Sequence, residues 1–243
     1  MEVLQQFVSD DAGCSYLPEQ TARLDHLLAL DIEPDVLEKF LERGWRRFGA
    51  VYFRPACPAC AECVPIRIPA DRFAPSRSQT RAGKRSKLRL EIGPPQVTPD
   101  RIDLCNRWQN RQGTRRSWDN PEMDERRYFL EFAIPHPAAL EFAYYDDEGG
   151  RSHLAAVGLV DATPNAVSAV YTYYDPDYAD QSPGTRCILD QVQYAREQGK
   201  AWVYLGYRVL GCPSSEYKAR FRPHQLLEGL PGPEDEPVWV DGD

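Results

Sequence analysis

Residues 140–207 read LEFAYYDDEGGRSHLAAVGLVDATPNAVSAVYTYYDPDYADQSPGTRCILDQVQYAREQGKAWVYLGY. Three runs in it, LEFAYY, HLAAVGLV and AVSAVYTYY, are apolar or alternating and are parted by the turn-rich DDEGG and DATPN, which predicts an antiparallel meander. A fourth strand, WVYLGY, comes only after SPGTRCILDQVQYAREQGK. There Ile188, Leu189, Val192 and Ala195 make a helical stripe and Gly199 ends it. The predicted order is meander, helix, strand, helix.

That order, with a Gly-containing turn feeding a helix after the third strand, is similar to the acyltransferase fold of the GNAT type. Ser182, Pro183, Gly184 and Thr185 occupy the turn. The helix N-terminus there offers unpaired N–H groups to an anion, although a Gly at such a place is also ordinary turn chemistry. Upstream, Pro34 and the spacing of Val36, Leu37, Phe40 and Leu41 predict a short helix ended by Gly44. AVYFRP and VPIRIP read as strands around a cysteine loop, and Pro65 assigns the second of them to a sheet edge. SRSQTRAGKRSK has no apolar face and reads as an exposed loop or helix. GPPQVTPD marks a boundary near residues 93 to 100, and two helices follow, one through 101–111 with Ile102, Leu104, Cys105 and Trp108 inward, one near 124–132. The expected fold class is α+β: an N-terminal Cys-containing α/β region over 1–95, then a GNAT-like acyltransferase domain over 96–243 with a mostly antiparallel sheet and an acidic tail.

A chain of 243 residues with 42% hydrophobic content buries one large core or two modest ones. No run approaches the roughly 18 apolar residues of a membrane helix, and MEVLQQFVSDDAGC lacks the regions of a secretory signal, so no membrane partner and a cytoplasmic location are expected. The net charge of −8 argues against nucleic acid only on average. Between Arg43 and Arg89 lie twelve Lys and Arg, opposed by Glu62 and Asp71 alone. After Gln225 come Glu228, Glu234, Asp235, Glu236, Asp241 and Asp243 with no base. Solubility alone would intersperse the signs, so the basic segment reads as a track for RNA phosphates rather than a plain solvated face.

Cys57, Cys60 and Cys63 are spaced to converge on one metal, with Cys14 as a fourth thiolate for Zn²⁺ or an iron–sulfur cluster; a loop of reduced thiols stays open beside that reading. Cys105 and Cys187 read as core thiols. Trp45, Phe48, Tyr52, Phe53 and Phe73, interleaved with the bases, are core rings or stacking surfaces for unpaired nucleotides. The tyrosines near Tyr171 are dense, and alternation assigns about half of them to the core. The four histidines show no ligand spacing and read as structural or exposed.

CSYLP at Cys14, GWRRFG at Gly44, YFRPACPACAECVPIR at Tyr52 and FAPSRSQ at Phe73 resemble the N-terminal region of arginyl-tRNA–protein transferases. SAVYTYYDPD at Ser168, SPGT at Ser182, YLGY at Tyr204 and YKARFRP at Tyr217 resemble the same family's C-terminal region. The triple cysteine and short length are similar to the bacterial branch, the aspartate/glutamate leucyltransferases. That resemblance implies transfer of leucine from leucyl-tRNA to the N-terminal α-amine of proteins that start with Asp or Glu, marking them for the N-degron pathway. Arg208, where the family usually carries an aromatic, and Cys212 to Ser215 depart from its pattern. An aminoacyl ester is already activated, so no cofactor is required for the chemistry. The work is to hold RNA, recognise an acidic residue, remove a proton and stabilise an oxyanion. The catalytic candidates are Asp175, to orient or deprotonate the amine, and Tyr207 and Lys218, to donate to the oxyanion. The substrate-binding candidates are Arg46, Arg47, Ser76, Arg77, Gln79, Tyr171 and Gly184. Arginyl transfer and an acetyl-CoA-dependent N-acyltransferase are the alternatives, and a non-catalytic RNA or zinc module would leave the C-terminal half idle.

Overall fold

The computed structural model describes residues 1–116, 121–147, 150 and 152–242. Part of the DDEGG turn (148 and 149) and the terminal Asp243 lie outside the described residues.

The meander forms as β9 (Ala139–Asp146), β10 (His153–Ala162) and β11 (Ala166–Tyr174), and α5 (Pro183–Glu197) leads to β12 (Trp202–Arg208). β12 runs parallel to β11, and its other neighbour, β7 (Val64–Pro69), is antiparallel. With β8 (Arg89–Gly93), β13 (Gln225–Leu227) and β14 (Trp239–Asp241) these strands make one sheet in the order β14-β13-β7-β12-β11-β10-β9-β8. It is mixed α and β architecture with a mostly antiparallel sheet. β7 and β8 come before residue 96, so the boundary read at residues 93 to 100 does not separate two sheets. Pro65 does not mark an edge either, since β7 is interior. β13 pairs only with Ile66 and Arg67, so the missing N–H of Pro65 falls beyond that ladder.

Hydrophobic burial holds helices on both faces. Cys187, Ile188, Val192 and Ala195 of α5 pack on Phe142, Tyr144, Val167 and Val203. On the opposite face Leu104 and Cys105 of α3 (Pro99–Arg116), with Tyr128 at the end of α4 (Glu125–Tyr128), pack on Val157, Leu159 and Tyr173. No helix among the described residues is long and apolar enough to cross a membrane.

A second, four-stranded sheet, in the order β1-β4-β6-β5, comprises β1 (Glu2–Val8), β4 (Leu24–Leu30), β6 (Val51–Pro55) and β5 (Arg46–Phe48); a small pair, β2 (Ala12–Gly13) and β3 (Thr21–Ala22), lies beside it in sequence. One face of this sheet buries Leu27, Ala29 and Tyr52 against Leu37 and Leu41 of α1 (Pro34–Glu42). Gly44, at φ +81°, ends α1 as predicted, and Trp45 N–H reaches back to Phe40 O.

α2 (Arg77–Arg85) is the helix in SRSQTRAGKRSK. Ser76 accepts from Gln79 N–H, and the Gln79 side chain accepts from Ser76 N–H, a reciprocal cap on the sequence S-x-x-Q. Gln79 is the residue α2 buries, and its amide donates to Arg220 O at 3.1 Å.

Candidate functional site

Strand alternation decides which arginine faces the site. Arg46, Phe53, His26 and Phe7 lie opposite one another across the four strands of the small sheet, so all four point to one face. Arg47 pairs with Tyr52 and Leu27 and points to the other. There it is buried, donates to both carboxylate oxygens of Asp161, and reaches Gly49 O at 2.8 Å. Arg47 is therefore an internal ion pair, not a free contact for a substrate carboxylate.

The face carrying Arg46 floors a cavity of about 980 Å³. Phe48, Val51 and Phe53 come from the small sheet, Leu205 and Val170 from β12 and β11, and Leu130 from the segment after α4. Ser15 and Tyr16 close one side, and Asp124, Arg126, Arg127 and Glu131 stand at another. Glu131 is held by Arg127 at 2.6 Å, and Asp124 caps α4 by accepting from Arg127 N–H. Both acids are thereby engaged.

Arg46 and Lys218 supply the positive charge inside. Arg46 Nη1 donates to Ser168 Oγ at 3.0 Å and Nη2 to Ala169 O, which leaves three of a guanidinium's five N–H groups for a ligand. Lys218 lies on the turn Tyr217–Arg220 and donates to Tyr207 O at 2.9 Å. Burial, then the neighbouring Arg46 charge, holds its amine down to about 7. Burial also lowers Arg46. No carboxylate pairs with either among the described residues.

Of the sequence candidates, the fold brings together Arg46, Lys218 and Tyr207 around this cavity. Tyr207 is buried, and its one hydroxyl proton goes to Gly44 O at 2.7 Å, which removes it as an oxyanion donor. Asp175 is not among the lining residues. It accepts from Asp177 N–H, Arg107 at 2.8 Å and His153 at 3.3 Å, and these outweigh burial and keep its carboxyl below the usual range. It serves as the cap of the turn Pro176–Gln181 rather than as a base beside Lys218. Tyr171 sits behind the wall, stacked on Phe132 at 5.3 Å and edge-on to Phe48, with its hydroxyl pushed up to about 12 by burial. Gly184 lies in the first turn of α5, where an added Cβ would first meet Tyr174 at 3.9 Å. Ser76 and Gln79 cap α2, and Arg77 is exposed on that helix.

Cys14, Cys57 and Cys63 also border the cavity, and Cys14, Cys57 and Cys60 are near enough to Cys63 to add to the burial that pushes its thiol up to about 12. Sγ of Cys14 accepts from Leu17 N–H and Sγ of Cys57 from Arg23 N–H, each at 3.5 Å. Even so, among the described residues no set of three or more Cys, His, Asp or Glu is arranged to hold a metal ion.

His26, read from the sequence as structural or exposed, lines the cavity. Its ring stacks on Phe7 at 5.0 Å and lies 6.5 Å from Phe53, and its buried Nδ1 has no partner. The signal was the alternation in LDHLLAL, where Leu27 and Ala29 turn inward and His26 must turn the other way. Trp45, Tyr52 and Phe73 take the core role open to them, while Phe48 and Phe53 line the cavity. Arg208 does not line it.

Two family models cover the chain: arginine-tRNA-protein transferase, N terminus, matches residues 12–81, and arginine-tRNA-protein transferase, C terminus, matches residues 100–228. The chain is 33% identical over 238 residues to an aspartate/glutamate leucyltransferase of Helicobacter hepaticus, covering 97% of each. It is 35% identical to proteins of the same name from Halorhodospira halophila, covering 89% of this chain and 91% of the relative, and from Vibrio campbellii, covering 90% and 92%.

Proposed function

The chain belongs to the arginine-tRNA-protein transferase family, and from that premise we propose that it moves leucine from leucyl-tRNA to the α-amine of proteins whose first residue is Asp or Glu. The observation that carries this reading is the half-buried Arg46–Lys218 pair, two groups with no ion-pair partner among the described residues, lining the cavity beside the apolar Phe48, Phe53 and Leu205. An acidic side chain supplies what the pair lacks, and Arg46 has free N–H groups with which to grip it. The wall of Phe48, Val51, Phe53, Leu130 and Leu205 suits a leucyl side chain. An arginyl side chain would need a free carboxylate; Glu131 is paired with Arg127, and Asp124, which caps α4, lines the cavity together with the cations Arg126 and Arg127.

In the proposed reaction the neutral α-amine attacks the ester carbonyl of leucyl-tRNA, a C–N bond forms, and the ester C–O bond breaks. The amine's proton leaves with the ribose hydroxyl. The charged site orients the acceptor and favours the developing oxyanion, and the ester needs no cofactor for activation. A GNAT-like course of β9 to β12 with α5 is consistent with acyl transfer, and charged tRNA as donor fits a cytoplasmic reaction that feeds an N-degron pathway. Parallel assays with leucyl-tRNA, arginyl-tRNA and acetyl-CoA on one Asp-starting peptide test this. Leucine transfer alone supports it, and arginine or acetyl transfer without leucine transfer refutes it.

A further inference from the structure

Several of the arginines in the basic segment turn inward. Arg43 donates to Gly232 O and Asp235 O, Arg47 to Asp161, and Arg54 to Pro231 O. Arg67 is gripped by Gln225 between the rings of Trp202 and Trp239 at 3.7 and 4.2 Å. The outward side of α2 is different. Its residues Arg77, Arg81 and Lys84 are exposed and have no ion-pair partner among the described residues. At 100° per residue they fall within an arc of about 60°, on the side away from buried Gln79, and extend over about 10 Å of helix.

This helix has no apolar face to hold it, yet it is fixed at both ends by polar contacts. Gln79 donates to Arg220 O at one end. At the other, Arg186 of α5 donates to Gly83 O and Ser86 O at 3.1 and 3.3 Å, and Arg85 donates to Asp180 O at 2.9 Å. The Gln79 contact falls on the same short turn that carries Lys218, and Phe221, just after that turn, stacks on Phe73 at 6.0 Å. The exposed Arg220 and Arg222 flank the point of attachment. An unneutralised cationic stripe in a protein of net charge −8, held in place by hydrogen bonds and joined to the wall of the cavity, is built for a polyanion.

We infer that the outward face of α2, Arg77, Arg81 and Lys84, docks the phosphodiester backbone of the donor tRNA away from its aminoacylated 3′ end, so that the ester reaches the cavity beside Lys218. This deepens the leucyl-transfer reading and rests on it. Ser76 and Gln79 then act as positioning residues that hold the stripe toward the RNA.

The test measures binding of deacylated tRNA, which needs no chemistry, to the whole protein across a salt series, beside the KM values for leucyl-tRNA and an Asp-peptide. Arg77→Ala/Arg81→Ala/Lys84→Ala should make the log affinity against log salt slope shallower by about 2.7, since each lost phosphate contact removes about 0.9, and should weaken binding by about tenfold or more at low salt. The KM for leucyl-tRNA should rise and that for the peptide should hold. The charge-preserving Arg77→Lys/Arg81→Lys/Lys84→Arg variant should bind as the parent does. Unchanged tRNA affinity and slope in the alanine variant overturn the inference, as does a rise confined to the peptide's KM, which would make the stripe an acceptor surface. Absence of leucine transfer by the parent protein refutes the functional reading instead, and the two failures are thus read separately.

Discussion

Arg46 and Lys218 meet at Gly206: a methyl group placed there would lie 3.5 Å from both the Arg46 guanidinium carbon and Lys218 Nζ. The pairing of β12 with β7 shifts between Tyr204 and Gly206, and Gly206 sits at φ +83°. A bulge of this kind re-aims the strand next to the site, and only glycine takes that φ without strain. Gly206→Ala should therefore cost about 1–2 kcal/mol of stability from the left-handed backbone, while its methyl would meet both cations only at ordinary contact distance. Chemical denaturation measures the cost; a variant as stable as the parent would show that the backbone there does not need glycine.

Arg46 and Arg47 should separate function from folding although they are adjacent. Arg47→Ala leaves Asp161 buried and unpaired, and breaking such a pair costs about 3–5 kcal/mol. Arg46→Met removes a cation that has no buried carboxylate partner, so the fold should survive, while kcat/KM for an Asp-peptide should fall roughly ten- to a hundredfold for loss of about 1.5–3 kcal/mol of charged hydrogen bonding. Denaturation midpoints and transfer rates on both variants check this. The reverse pattern would place the site on the other face of the sheet.

Lys218 gives a pH signature with a definite sign. Its amine sits near 7 in the fold against an ordinary 10.5, so between those values the unfolded chain binds a proton that the folded one lacks. Stability from this group therefore increases as pH rises from about 7 toward 10.5, and the full cost of burying the charge is present below 7. Lys218→Met should flatten that rise. An acceptor carboxylate restores the charge, so its binding takes up a proton above about pH 7, and the Asp-peptide's KM should worsen by up to about tenfold per pH unit there. A KM that stays flat from pH 7 to 9 would remove Lys218 from the acceptor site.

Much of this was legible in the residues. β9 to β12 and α5 followed from alternation and a helical stripe because each is long and bounded by Gly, Pro or Asp turns. Arg46 was named from the sequence as a substrate contact and Lys218 as an oxyanion donor, not as its partner in acceptor recognition. The separation of Arg46 from Arg47 was not, because it depends on the phase of the three-residue strand β5, and a slip of one residue exchanges the two faces. Pro65 misled because whether an interior strand tolerates proline depends on the extent of its partner, β13, more than 150 residues away. Asp175 and Tyr207 were read as chemical groups because sequence does not reveal that a hydroxyl or carboxylate already has its hydrogen bonds. The small sheet's β1 and β4 were not read at all, and with them went His26 and the floor of the cavity.

Arg46 and Lys218 are proposed to recognise the acceptor's acidic side chain. The direct measurement is leucine transfer from leucyl-tRNA to matched peptides beginning with Asp or Asn, by the parent protein, Arg46→Met and Lys218→Met. An amide leaves the two half-buried cations uncompensated, so the parent should prefer Asp strongly, and either variant should lose most of that preference while still distinguishing charged from uncharged tRNA. A parent that accepts Asn as well as Asp, or variants that keep the full preference, would contradict it.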